Sequence, residues 1–190
     1  MQRSDSNVQT GFRPPDRIGF DELSRRVRKL AIDVLHSIWK WRWLWALGIA
    51  GLIAFNAFFM LAITISPSLP QYAFLVHKRE HSLARGDYVS FIWRGQKFFP
   101  SGIPFTKIVM GVPGDVVSFV DREVYINGKP IALAKFRSKH GEPLELGPTG
   151  VIPPGMYYVH GTHPDSLDSR YAVTGWILAD QVIGRAYPIF

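Results

Sequence analysis

Phe105-Thr-Lys-Ile-Val-Met-Gly-Val-Pro-Gly-Asp115 sets the character of the chain. A lysine precedes an otherwise apolar run from Ile108 to Val112, and Pro113-Gly-Asp115 ends it. A short apolar run closed by turn residues reads as a buried strand rather than a helix. Comparable runs recur at 72–76, 88–93, 116–120, 124–126, 156–160 and 181–187, with Gly and Pro turns between them. Within Val124-Tyr-Ile-Asn-Gly-Lys-Pro-Ile131, the Asn127-Gly128 pair suits the two positive-φ positions of a type I′ turn, so a hairpin is expected there. Residues 132–150 are polar, Gly/Pro-punctuated and patternless, and are expected to form a surface excursion. The fold class expected over 66–190 is mainly β, a twisted antiparallel sheet.

Upstream the chemistry changes. Residues 44–65 are 22 positions without a charge, long enough to span a hydrocarbon core of about 30 Å as one transmembrane helix. Trp39, Trp41, Trp43 and Trp45 crowd the start of that run, as in an interfacial aromatic belt. A cleaved signal peptide is disfavoured, because over forty residues precede the run and no Ala-x-Ala site follows it. Before it, Leu23, Val27, Leu30, Ala31, Val34, Leu35 and Ile38 fall on one helical face, with Arg25, Arg26, Arg28 and Lys29 on the other. Such a basic amphipathic helix fits an anionic membrane surface, with docking on a cytoplasmic partner as the rival. Residues 1–18 are polar and expected to be disordered. The domain scheme is thus 1–43 cytoplasmic, 44–65 anchor and 66–190 extracytoplasmic.

The formal charge of +7 invites a nucleic-acid reading, but its distribution argues otherwise. Residues 1–42 hold nine Lys/Arg against five Asp/Glu, which is +4 of the total, all ahead of the apolar run. That is the positive-inside signature, so topology accounts for most of the excess and no nucleic-acid partner is implied. The absence of cysteine excludes a disulfide framework, thiolate catalysis and cysteine metal sites.

Three stretches carry residues suited to chemistry: Ser68-Leu-Pro70 just past the apolar run, Lys107, and Ser166-Leu-Asp-Ser-Arg170. Each alone has an ordinary structural explanation, the serine as a turn residue and the lysine as a snorkelling edge residue. Taken in order with Arg85-Gly-Asp87 and Gly111-Val-Pro-Gly-Asp115, they resemble the signal peptidase I family of serine–lysine membrane peptidases. The family pattern is a membrane span, Ser-Met-x-Pro, Arg-Gly-Asp, a Lys followed by Gly-x-Pro-Gly-Asp, then Ser-x-Asp-Ser-Arg. The resemblance covers roughly residues 44–190. Departures are the missing methionine, a proline two rather than three places after Ser68, Ile108 in place of a frequent arginine, and Gly161-Thr-His-Pro164 in place of Gly-Asp-Asn-Arg. These features look most like the conjugative-transfer branch, whose members mature the pilin subunit of plasmid transfer systems, some with cyclisation.

The resemblance implies Ser68 as nucleophile and Lys107 as general base, with Ser66 and the Ser68 N–H in the oxyanion hole. It further implies that Ser166 orients the lysine, that Asp168 and Arg170 form a supporting ion pair, and that Arg85-Gly-Asp87 is structural. No cofactor or metal is implied. The expected partners are a membrane-associated, pilin-like precursor, the inner membrane and other transfer-system components. The expected location is single-pass in the inner membrane with a periplasmic catalytic domain. Physically, a serine hydroxyl needs a base, and a lysine serves only when neutral, which burial favours. Histidine alternatives from His77, His81, His160 and His163 with Asp165 or Asp168 lack a Gly-x-Ser-x-Gly elbow, and His160-x-x-His163 is a weak metal pattern. His163 remains a candidate for the rim of the site. Two rival functions stand beside the specialised peptidase: a general leader peptidase, and a catalytically inactive envelope-assembly module.

Overall fold

The computed structural model describes residues 20–64, 68–95 and 97–189. It opens with helices α1 (Phe20–Lys40) and α2 (Arg42–Phe58). The strands are β1 (Phe59–Ile63), β2 (Ala73–His77), β3 (Tyr88–Ile92), β4 (Pro104–Gly111), β5 (Val116–Val120), β6 (Glu123–Ile126), β7 (Lys129–Leu133), β8 (Gly150–Val151), β9 (Met156–His160), β10 (Ile177–Leu178) and β11 (Val182–Pro188). Two compact units result, one ending at Gly51 and the other starting at Leu52.

In the first unit, α1 places Asp21 and Glu22 in its first turn and Lys40 in its last, each charge suited to its end of the helix dipole. No residue of α1 is buried. Neither helix alone is long and apolar enough to cross a membrane; the two pass that test together, bent by 72° at their junction. The junction holds neither proline nor glycine. There Arg42 Nη1 donates to the Trp39 carbonyl at 3.1 Å, meeting one acceptor that the end of α1 leaves unpaired.

The run 44–65, expected to be one helix throughout, is helical only as far as Phe58. Helix α2 stops at Phe58, and β1 begins at the next residue. Strand β1 pairs antiparallel with β2, from Phe59 opposite His77 to Ile63 opposite Ala73. An unbroken apolar run has no period that separates helix from strand. Here the edge of β2 decides, because pairing satisfies the backbone groups of β1. Lys78 closes the helix: its ammonium donates to the Asn56 carbonyl at 2.6 Å and its N–H to the Phe58 carbonyl at 2.8 Å. Residues 1–18, expected to be disordered, and Ile65 lie outside the described residues.

The second unit is mainly antiparallel β, as expected. One sheet runs β1-β2-β11-β3-β4-β9-β10, the other β7-β6-β5-β8. Strand β4 is interior, flanked by β3 and β9, and Val89, Phe91, Val109, Val159, Ile177 and Val182 form a core cluster about it. Leu69 packs with Phe74, Val76 and Ala186 in another cluster, which anchors the chain just after Ser68. The expected hairpin joins β6 to β7, with φ of 51° at Asn127 and 74° at Gly128.

Residues 132–150 form the expected surface excursion, mostly exposed, but two of its residues are tied into the domain. Ala134 and Leu144 are buried with Tyr171, and the Arg122 guanidinium donates to the carbonyls of Ala134, Lys135 and Leu144. One arginine gathers three carbonyls, so a segment without strand pattern still has its backbone satisfied.

Candidate active site

Lys107 is the fourth residue of β4, opposite Val89 of β3, and is 3% exposed. It therefore lies within an interior strand rather than ahead of one. Its ammonium donates to Ser166 Oγ at 2.9 Å and lies 5.7 Å from the centre of the Phe105 ring. Among the described residues no carboxylate comes within ion-pair distance of it. Burial lowers its pKa from 10.5 to about 8; the charge of Asp168 opposes that shift and that of Arg170 assists it.

Ser166 is held by its N–H donating to the His163 carbonyl at 3.0 Å. Two residues on, Asp168 and Arg170 are both buried and paired. Arg170 Nε donates to Asp168 Oδ1 at 2.8 Å and Nη2 to Oδ2 at 3.0 Å. The same guanidinium donates to the carbonyls of Leu133, His163 and Ser166. Burial acts to raise the Asp168 carboxyl, yet the His160 ring and the Arg170 guanidinium hold it well below the usual carboxylate range. The Gly161 N–H adds a hydrogen bond to Asp168 Oδ2 at 2.9 Å.

Ser68 is 5% exposed. Its carbonyl accepts from the His163 N–H and from Thr162 Oγ1, both at 3.4 Å. Gly161 is the contact point: a Cβ there would lie 2.9 Å from the Ser68 carbonyl oxygen and would collide with Ser166 Oγ. Ser68, Lys107 and Ser166 line one cleft of about 560 Å³. Its walls are apolar, from Met60, Leu61 and Ile63 of β1 and Phe105 of β4, with Lys139, His163 and Asp165 also on the lining. An apolar wall is what keeps water from the lysine.

The fold thus brings Ser68, Lys107, Ser166, Asp168 and Arg170 into one neighbourhood. Ser66 lies outside the described residues. Arg85 and Asp87 stand apart from the cleft lining. Arg85 forms a bidentate pair with Asp115, which also accepts from the Val112 N–H and Asn127 Nδ2. Burial acts to raise Asp115, and these donors outweigh it to hold the carboxyl at about 2. Asp87 accepts from Arg185 at 2.6 Å. His160 Nδ1 lies 3.3 Å from Asp168 Oδ2, close enough to act on that carboxyl, and His160 is not part of the cleft lining. His163 does line the cleft, with its Nδ1 accepting the Asp165 N–H at 3.1 Å. Among the described residues no three His, Asp or Glu side chains are grouped to hold a metal.

Sequence reasoning missed Gly161 and Thr162 as contacts to the serine turn. The signal of Gly161 is steric and that of Thr162 is a hydrogen bond, and both appear only once the Gly161-Thr162 loop and the Ser68 turn are side by side.

Residues 37–190 match the family model described as "Signal peptidase, peptidase S26". The chain is 30% identical over 166 residues to the conjugal transfer protein TraF of Agrobacterium fabrum (strain C58), an alignment covering 76% of this chain and 93% of that one. It is 36% identical over 117 residues to signal peptidase I T of Bacillus subtilis (strain 168), covering 57% of each. A crystal structure of a signal peptidase I from Enterococcus faecalis V583 aligns with 27% identity over 55% of this chain and 96% of that chain, at a TM-score of 0.38.

Proposed function

The chain belongs to the signal peptidase family, peptidase S26, and from that membership we propose a membrane-anchored serine endopeptidase with Ser68 as nucleophile and Lys107 as base. The observation that carries this reading is the buried lysine, its pKa lowered to about 8, sharing an apolar cleft with Ser68. Neutral Lys107 takes the proton of Ser68 Oγ as the oxygen attacks the scissile carbonyl carbon. The C–N bond then breaks, and Lys107 returns that proton to the departing amine. An acyl-enzyme ester on Ser68 remains. Water, or an amine of the substrate itself, next attacks the ester with Lys107 again as base; the amine route yields a cyclic product. Ser66 and the Ser68 N–H stabilise the oxyanion. Ser166 orients the lysine, and the Asp168–Arg170 pair supports the Ser166 turn.

The substrate we assign is a membrane-associated precursor, specifically a pilin-like subunit of a conjugative transfer system. Similarity along 93% of a conjugal transfer protein supports that choice. The basic excess over residues 1–42 supports a cytoplasmic N-terminus and a periplasmic catalytic domain on the inner membrane. Other transfer-system components are the expected companions. A second reading, general leader peptidase, draws on the 36% identity to signal peptidase I T.

Incubating the purified full chain with pilin-like precursors and measuring product masses tests the assignment. A hydrolysed product carries one added water and a cyclic one does not. Absence of any Ser68-dependent product overturns the peptidase reading. Accumulation of many unrelated exported precursors in a deletion strain overturns the dedicated substrate in favour of the general one.

A further inference from the structure

Helix α1 is the largest feature that the peptidase reading does not use. Over 21 residues it measures about 31 Å. At 100° per residue, Phe20, Leu23, Val27, Leu30, Val34 and Ile38 fall within one arc of about 80°. Ala31 and Leu35 widen that arc on one side. All six large apolar residues are exposed. So broad an apolar stripe is stable in water only when something covers it.

The charges indicate what does. Arg26 borders the stripe on one edge and Arg28 on the other, while Arg25 and Lys29 sit on the opposite face. Arg26 is shared with Glu22 at 2.8 Å, whereas Arg28 and Lys29 have no salt-bridge partner among the described residues. With Lys40 the helix carries five cations against Asp21, Glu22 and Asp33, a net +2. Arginines flanking an apolar face bury their methylenes beside it and lift their charge toward a polar layer above. Two such faces packed together would instead set arginine edges side by side.

The junction with α2 adds an independent geometric constraint. A helix bent by 72° from one that follows a bilayer normal lies nearly in the membrane plane. Trp39, Trp41, Trp43 and Trp45 gather at that bend, and the Arg42 guanidinium lies 4.7 Å from the Trp39 ring centre and 5.7 Å from that of Trp43. Indole rings paired with a cation are the usual furniture of the headgroup layer. We infer that α1 lies flat on an anionic lipid surface, its apolar stripe sunk to the acyl boundary and the edge arginines Arg26 and Arg28 reaching headgroup phosphates. This inference rests on the reading that α2 enters the membrane.

The chain has no cysteine, so single-cysteine nitroxide labels can be placed without background. The full chain is reconstituted into vesicles of phosphatidylcholine with phosphatidylglycerol, labelled singly at Leu30→Cys, Val34→Cys, Lys29→Cys or His36→Cys. Collision of each label with a water-soluble nickel reagent is then read by electron paramagnetic resonance. Labels at 30 and 34 are expected to be several-fold less accessible than those at 29 and 36. That contrast should shrink in pure phosphatidylcholine, in salt well above 0.15 M, where the Debye length is already about 8 Å, and in the Arg25→Gln/Arg26→Gln/Arg28→Gln/Lys29→Gln variant. Equal accessibility at 29 and 30 overturns the inference, and so does a contrast indifferent to lipid charge. Spin–spin broadening at 30 that vanishes on dilution with unlabelled chain overturns it in favour of a second copy. A Leu52→Cys label reports separately whether α2 is in lipid, so failure of α1 to dock is distinguishable from failure of the anchor.

Discussion

Two cations are buried within a few residues' reach of each other, and they are treated in opposite ways. Lys107 is 3% exposed and Arg170 is 2% exposed, so desolvation bears on both. Around Arg170 stand a bidentate carboxylate and three carbonyl oxygens. Lys107 donates to a hydroxyl, with a ring face nearby. The arginine accordingly has its pKa raised despite burial, while that of the lysine falls to about 8. Burial alone does not decide protonation; the acceptors supplied with it do. A guanidinium could not fill the lysine's place, since it stays charged in any surroundings.

The largest expected effect comes from abolishing the cation that has no carboxylate beside it, or the serine that shares its cleft. Lys107→Met or Ser68→Ala should each lower turnover on a precursor by on the order of 10⁴–10⁶. The double variant should be little worse than either, because groups acting as one unit are not additive. Lys107→Arg should be as inactive as Lys107→Met. Near-wild-type cleavage by either Lys107 variant would place the base elsewhere, with His163 the next suspect.

Breaking the paired member should act on stability instead. Asp168→Asn leaves Arg170 buried without its carboxylate, at a cost of about 3–5 kcal/mol in urea unfolding. Replacing both partners, Asp168→Leu with Arg170→Met, should cost less than the single change. A single change that proved harmless would mean that the three carbonyls suffice for the arginine.

The pH response sharpens the contrast. Since the lysine must be neutral to act, kcat/KM should fall about tenfold for each pH unit below about 8. Stability should move the same way. The unfolded chain binds the Lys107 proton more tightly than the folded one, so wild-type stability rises with pH between about 8 and 10.5. The corresponding slope should be missing from Lys107→Met. A pH-independent kcat/KM across pH 6–9 would remove the lysine from the role of base.

The smallest effect belongs to the hydroxyl between the two. Ser166→Ala takes away the partner 2.9 Å from Lys107 but leaves its burial, so activity should fall by up to about 10²-fold with the pH limb retained. Loss of the limb as well would assign Ser166 a part in setting the charge rather than the aim.

Much of this was legible before any fold was known. Apolar runs at 116–120 and 156–160 coincide with β5 and β9, and Asn127-Gly128 turns where its conformational freedom suggested. Strand β1 was not legible, because Phe59–Ile63 continues the apolar run of α2 and only its pairing with β2 separates them. The tie of 132–150 to the domain also escaped, since its organiser, Arg122, is an exposed-looking arginine that reaches forward to three carbonyls. At the site, the family resemblance marked Lys107 and Ser166, 59 positions apart, but not the depth of the lysine inside β4. In the sequence Gly161 stands only as the first residue of a loop that departs from the family pattern. Its use is to have no side chain where Ser68 and Ser166 converge.

The direct passage from α2 into β1 makes the stretch behind the cleft wall a ruler. Five extended residues from Phe59 to Ile63 measure about 17 Å. With no loop at the Phe58–Phe59 joint, that length sets how far the cleft wall extends beyond the end of α2. Adding one residue to β1 would move the graduation by about 3.3 Å and also turn its side chains to the other face. Adding two would keep the faces and shift the mark by about 6.6 Å. The strand can therefore lengthen only in even steps if Met60 and the other residues it turns toward the cleft are to keep their side.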